Sequence, residues 1–130
     1  MNKNTKNEVV ESFKTAAGKV EVIVNKDGTE MRFLNGKLHG DKEPAVKFSN
    51  GSLGWYENGK LSRIGKPAFQ SIDGDEIWAV EGVYHNANGP AIKIKGEQPK
   101  WYWKGVQITE KVFNTITQQK KAFGLENILK

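Results

Sequence analysis

The sequence predicts a mainly-β protein, a repeat-built antiparallel β-meander with a short helix at each end. One period of 23 residues governs most of the chain: Asn35-Gly36, Asn58-Gly59, Glu81-Gly82 and Lys104-Gly105 recur at that spacing, as do Pro44-Ala45, Pro67-Ala68 and Pro90-Ala91. A second set of turn dipeptides, Asp27-Gly28, Asn50-Gly51 and Asp73-Gly74, keeps the same period, with the glycine of Gly96-Glu97 one place early. Trp55, Trp78 and Trp101 form an aromatic column, with Phe33, Tyr56 and Tyr102 beside it and Ala79 as the exception.

The elements follow in order. Thr5-Lys6-Asn7-Glu8 has the form of a capping box, and Val9, Phe13 and Ala16/Ala17 fall on one helical face before Gly18. Residues 6–17 therefore read as a short amphipathic helix, and a first strand completes residues 1–23. Residues 24–108 hold the repeats. The run Ser52-Leu53-Gly54-Trp55-Tyr56-Glu57 is too short for a helix and ends on Asn-Gly, the strongest short-range hairpin signal. Proline cannot donate to a ladder, so each Pro-Ala marks the start of a strand or a bulge. Ala45-Val46-Lys47-Phe48 and Ala91-Ile92-Lys93-Ile94 then run as alternating strands. Thr109 caps a helix over 110–123 with Val112, Phe113, Ile116 and Phe123 as its apolar stripe and Gly124 as its stop, inside a helical segment 109–130. The 130 residues suffice for a single domain, 1–130, and its terminal elements are expected to cover an edge or a face of the repeat sheet.

Composition narrows the function classes. The chain has no cysteine, which removes disulfide scaffolds, thiol catalysis and cysteine-ligated zinc. No apolar signal core follows the first charges and no uninterrupted run of about 18 apolar residues occurs, so a cytoplasmic setting is expected. The net charge of +5 invites nucleic acid or an anionic membrane, but the excess sits at the two ends, while residues 27–108 interleave 11 basic with 10 acidic side chains. That mixture reads as a solvated surface and argues against membrane association.

Most apparent chemical motifs dissolve into the repeat. Gly54-x-x-x-x-Gly59-Lys60 lacks the Ser or Thr of a phosphate loop and sits in a hairpin context. Asp73, Asp75 and Glu76 crowd around a repeat turn and offer too few oxygen ligands at too close a spacing for a hard metal. His39 and His85 are two whole periods apart, and Ser62 near His85 has no acidic orienter to complete a triad. Asn50-Gly51-Ser52 spells a glycosylation sequon that should stay bare in that setting. No catalytic residue, metal site or cofactor is expected. Adjacent strand residues face opposite ways, so the tryptophan and tyrosine columns should stripe opposite faces. Trp55, Tyr56, Trp78, Trp101, Tyr102 and Trp103 are the candidate partner-binding residues, with Trp103 as the exposed anchor. Lys93, Lys95, Lys100 and Lys104 near the last unit are the candidate anion or nucleic-acid contacts, if they converge beside Trp101 and Trp103.

The unit Asn50-Gly51-Ser52-Leu53-Gly54-Trp55-Tyr56-Glu57-Asn58-Gly59-Lys60-Leu61 resembles the MORN repeat (membrane occupation and recognition nexus), also of 23 residues. Met31-Arg32-Phe33-Leu34-Asn35-Gly36-Lys37-Leu38-His39-Gly40, followed by Glu43-Pro44-Ala45, is similar to the Trp-Tyr-x-Asn-Gly-Lys-x-His…Gly-Pro-Ala repeats of tailed-phage and bacterial antitoxin-like proteins. Trp101-Tyr102-Trp103-Lys104-Gly105-Val106-Gln107-Ile108-Thr109-Glu110 looks like the closing unit of that family. This resemblance spans residues 24–113. It departs from the pattern at Glu81-Gly82, Ala79, Ser62, Glu43 and Lys66. It implies a phage accessory or antitoxin-like protein acting in the host cytoplasm. The function expected is therefore a non-catalytic protein-binding adaptor or inhibitor of a host or cognate protein, with homodimerisation through sheet edges open to it. The alternative is a module that binds nucleic acid or a nucleotide ligand through the Lys- and Trp-rich last repeat.

Overall fold

The computed structural model describes residues 8–122, and they form an antiparallel β-meander closed by one helix. Glu8–Thr15 (β1) pairs with Gly18–Val24 (β2), which pairs in turn with Glu30–Leu34 (β3). The amino-terminal helix expected over 6–17 is therefore replaced by a strand, as far as the described residues reach; Thr5, Lys6 and Asn7 lie outside them. The competing force is tertiary. Val20, Val22, Ile23 and Val24 make β2 a strong strand whose one edge is taken by β3, and β1 supplies hydrogen-bond partners along the other.

The repeats follow as Lys37–Leu38 (β4), Val46–Lys47 (β5), Leu53–Gly54 (β6), Tyr56–Glu57 (β7), Lys60–Leu61 (β8), Phe69–Gln70 (β9), Glu76–Ile77 (β10), Ala79–Val80 (β11), Val83–Tyr84 (β12), Ile92–Lys93 (β13), Trp101–Trp103 (β14) and Val106–Ile108 (β15). The second and third repeat strands break at Trp55 and Trp78, whereas β3 runs unbroken through Arg32 and β14 begins at Trp101. Trp55 N–H donates to Ala68 O and Trp78 N–H to Ala91 O, both at 2.7 Å, and Arg32 N–H does the same to Ala45 O one unit earlier. Before this position the strand joins the main sheet, in order β1-β2-β3-β5-β6-β9-β10-β13. After it, the strand turns into a hairpin, β3–β4, β7–β8, β11–β12 or β14–β15. Successive hairpins are tied by Gly59 N–H to Leu38 O, Gly82 N–H to Leu61 O and Gly105 N–H to Tyr84 O, each 2.8 Å. The hairpins thus form a second row beside the main sheet.

The hairpin turns carry positive φ at both central residues, as a type I′ turn requires: 51° and 81° at Asn35-Gly36, 50° and 83° at Asn58-Gly59, 50° and 78° at Glu81-Gly82, 47° and 89° at Lys104-Gly105. Asn tolerates that region; Glu81 and Lys104 occupy it at a cost. Glu81→Asn is accordingly expected to stabilise the protein by about 0.5–1 kcal/mol in urea unfolding. No gain, or a loss, would mean that Glu81 has a compensating role.

Across the main sheet, Met31, Val46, Gly54, Phe69, Ile77 and Ile92 align on one face, with Glu30, Lys47, Leu53, Gln70, Glu76 and Lys93 on the other. The core is thin. The enclosed apolar residues among those described are Val22, Ala45, Val46, Ala68, Ala79, Ala91 and Phe113, so alanines at the tryptophan hydrogen bonds let backbones approach closely. The tryptophan rings consequently stay half-buried.

The carboxy-terminal helix forms where the sequence places it, but of its expected apolar stripe Phe113 is buried and Ile116 half-buried while Val112 faces solvent. It runs Glu110–Ala122 (α1), with Val112 N–H donating to Thr109 Oγ1 at 3.1 Å, Glu110 in its first turn and Lys120 and Lys121 in its last. Phe123 and Gly124 lie outside the described residues. No helix among those described is long and apolar enough to cross a membrane.

Candidate functional site

The histidine column is structural. His39 Nδ1 accepts the N–H of Asn58 (3.3 Å), Ser62 Oγ that of Glu81 (2.9 Å) and His85 Nδ1 that of Lys104 (2.9 Å). Each side chain therefore caps the first residue of the next unit's hairpin turn, and Ser62 does this as well as histidine. At the start of the array, Lys19 O takes the N–H of Asn35 instead, while Asn35 Oδ1 accepts from Lys19 N–H. The amino-terminal hairpin thus supplies the cap that no preceding repeat can.

His85 stands apart from His39. Its ring meets Trp103 edge-on at 4.6 Å, and its Nε2 is buried with no hydrogen-bond partner among the described residues. Burial, followed by the charges of Lys104 and Lys120, holds its pKa below the ordinary 6.5. The neutral ring is the form that fits, because protonating Nδ1 would break the bond from Lys104. This contribution to stability is complete above about pH 6.5, where the unfolded imidazole is neutral, and is lost as pH falls through the lower native pKa. His85→Ser, which copies the arrangement at Ser62, should keep the turn bond and give a shallower fall in melting temperature between pH 7.5 and pH 5. Equal slopes for the two proteins would rule His85 out as the titrating group.

Strand register places the aromatic columns on opposite faces of the hairpin row. Trp101 and Trp103 pair with Ile108 and Val106, while Tyr102 pairs with Gln107. On the second face, Tyr84 and Tyr102 meet edge to face at 5.1 Å, and Tyr56 packs beside Gly54. On the tryptophan face each ring has a different neighbour. Trp55 lies under the guanidinium of Arg63, whose Cζ is 3.5 Å from the ring centroid and whose Nη1 donates to Pro67 O. Trp101 and Trp103 are covered by α1: Phe113 sits 4.7 Å from the first ring and 6.2 Å from the second, and Lys120 Nζ lies 5.0 Å from the centroid of Trp103. Trp103 is therefore not the fully exposed anchor that its place outside the repeat column suggests; the helix and His85 pack against it and leave it half-buried.

Trp78 keeps an open approach. It lines a groove of about 400 Å³ with Arg63, Ile64, Val80, Val83, His85 and Lys104. Its indole Nε1–H donates to Glu76 Oε1 at 3.2 Å, which holds the ring in place. Ile64 is 82% exposed and Val83 45% exposed, so the apolar walls face solvent. The aromatic columns do not point to Ile64, Val80 or Val83. A departure from the repeat does: where the second unit has Glu57 and Lys60 flanking its turn, the third has Val80 and Val83. Ile64 is likewise an apolar residue in the middle of a turn-rich loop.

The four lysines do not converge. Lys93 and Lys95 border a separate depression with Asp73, Asp75 and Glu97, and Lys95 N–H donates to Asp75 Oδ1 at 2.8 Å. Lys100 pairs through its backbone with Ile92, and Lys104 lies on the Trp78 groove. Carboxylates are interleaved with the first pair, so the condition for a cationic strip beside Trp101 and Trp103 is not met. Asp73 and Asp75 themselves belong to a turn in which Ser71 Oγ accepts both of their N–H groups.

Compared with known protein families, curated proteins and solved structures, the chain matches none of them.

Proposed function

We propose that the chain is a non-catalytic protein-binding module, an adaptor or inhibitor, whose partner seats apolar side chains over Trp78. The observation that carries this reading is the groove of Trp78, Ile64, Val80 and Val83 on the hairpin row, on the same face that α1 covers one repeat later. An aromatic floor with exposed aliphatic walls is the composition of an interface centre. The resemblance to phage and antitoxin-like repeats supports a host or cognate protein as that partner. The dispersal of the lysines gives the nucleic-acid alternative no comparable surface.

The test is retention from bacterial lysate on immobilised wild type and on Val83→Asp, with nuclease treatment and a high-salt wash. One protein held in near-equal amount by wild type, resistant to both treatments and lost by Val83→Asp, is the expected result. Retention that disappears with nuclease, or that Val83→Asp leaves intact, would overturn the reading. Val83 is exposed, and an unchanged melting temperature confirms that the variant folds.

A further inference from the structure

Resting on that reading, we infer that the Trp78 groove takes an amphipathic helix with an acidic flank, seated as α1 is seated on the next unit. The repeat supplies the argument. Trp101 and Trp103 stand one period beyond Trp78 and Val80, on the same face of the hairpin row. Over Trp101 and Trp103 lies a helix whose Phe113 inserts against both rings, with Ile116 half-buried one turn on and Lys120 reaching over Trp103. Phe113, Ile116 and Lys120 are spaced i, i+3, i+7, so a single helix face makes all three placements. One repeat earlier the same face offers a tryptophan, two valines and a histidine with no helix above them among the described residues.

The charge of the site selects the partner. Arg63 and Lys104 line the groove, and among the described residues no lining residue is acidic. Lys60 packs beneath Gly82, in the turn that links Val80 to Val83. Glu76 is engaged by the Trp78 indole, and Glu81 occupies the turn without lining the groove. A helix carrying Asp or Glu beside its apolar stripe meets Arg63 and Lys104 with opposite charge; a basic helix such as α1 does not.

The probe is a peptide of residues 109–122 with Lys111, Lys120 and Lys121 replaced by Glu, compared with the unchanged basic peptide and with a scrambled acidic one. Binding is read from the indole N–H resonance of Trp78, assigned in the full-length protein by loss of the signal in Trp78→Phe. The acidic peptide is expected to shift that resonance saturably and to gain helicity. Lys104→Asn, which also suits its turn, should weaken binding several-fold and flatten its salt dependence. The basic and scrambled peptides should bind at least about tenfold more weakly, as expected for charge-selected docking of an ordered face. Equal binding of all three, shifts confined to the Lys93–Lys95 depression, or no shift at millimolar peptide would overturn the inference. So would a Trp78 shift caused by self-association in sedimentation, which would make a second copy the occupant. If lysate capture depends on Val83 while the acidic helix does not bind, the protein-binding reading stands and only the helical, acidic partner is lost.

Discussion

Phe113→Ala is expected to destabilise the protein by about 3–5 kcal/mol and to expose Trp101 and Trp103 together. Phe113 is only 7% exposed and is the one large side chain among the enclosed apolar residues. It contacts both rings, while the rest of α1 is mostly solvent-facing: of its 13 residues only Phe113 and Lys120 are buried. Truncation removes the ring and with it the reason for the helix to dock, since an isolated helix of this length is marginal in water. Urea unfolding should show the loss, and tryptophan emission in native buffer should move to the red. A cost below about 1 kcal/mol with unchanged emission would mean that Phe113 does not anchor the helix.

Gly40→Ala should be the most disruptive single methyl group in the array, costing about 3 kcal/mol or more. An added β-carbon would overlap the carbonyl oxygen of Glu43 and approach Ala45 N to 2.8 Å. Both are backbone atoms, so the loop must open instead of a side chain moving aside. Opening it also strains the bond from Gly40 N–H to Tyr56 O that ties the first hairpin to the second. One and two periods later the position is Arg63 and Asn86, whose side chains donate to Pro67 O and Pro90 O. Those loops are propped open by a side chain; the first has collapsed onto a glycine. Gly65→Ala is the control, because nothing lies within 4 Å of its β-carbon and only the positive φ is unfavourable. Similar losses for the two variants would show that the Gly40 loop has room to yield.

The aromatic columns illustrate how far the site is legible in the sequence. Their period and their opposite faces follow from strand alternation, and Trp78 is among the residues they single out. The exposure of each ring does not follow from alternation. Trp55, Trp78 and Trp101 are equivalent in the repeat, yet one lies under Arg63, one lines a groove and one meets Phe113. Those differences arise from neighbours that the repeat pattern does not specify. The histidine column shows the reverse case. Its interruption by Ser62 weakens any chemical reading, and the geometry explains the exchange: an acceptor for the next turn's N–H is needed, and hydroxyl and imidazole both provide one.

By itself the sequence determined the turns, the period and the capped helix, because positive φ at Asn-Gly and its substitutes and the Thr109 cap are local demands met within a few residues. Tertiary structure decided the rest. Residues 8–15 carry a helical apolar spacing, yet become a strand because β2 presents a free edge whose backbone groups need partners. The groove likewise exists because, among the described residues, α1 covers the Trp101–Trp103 unit of the face and not the Trp78 unit, an outcome set by contacts distant in sequence.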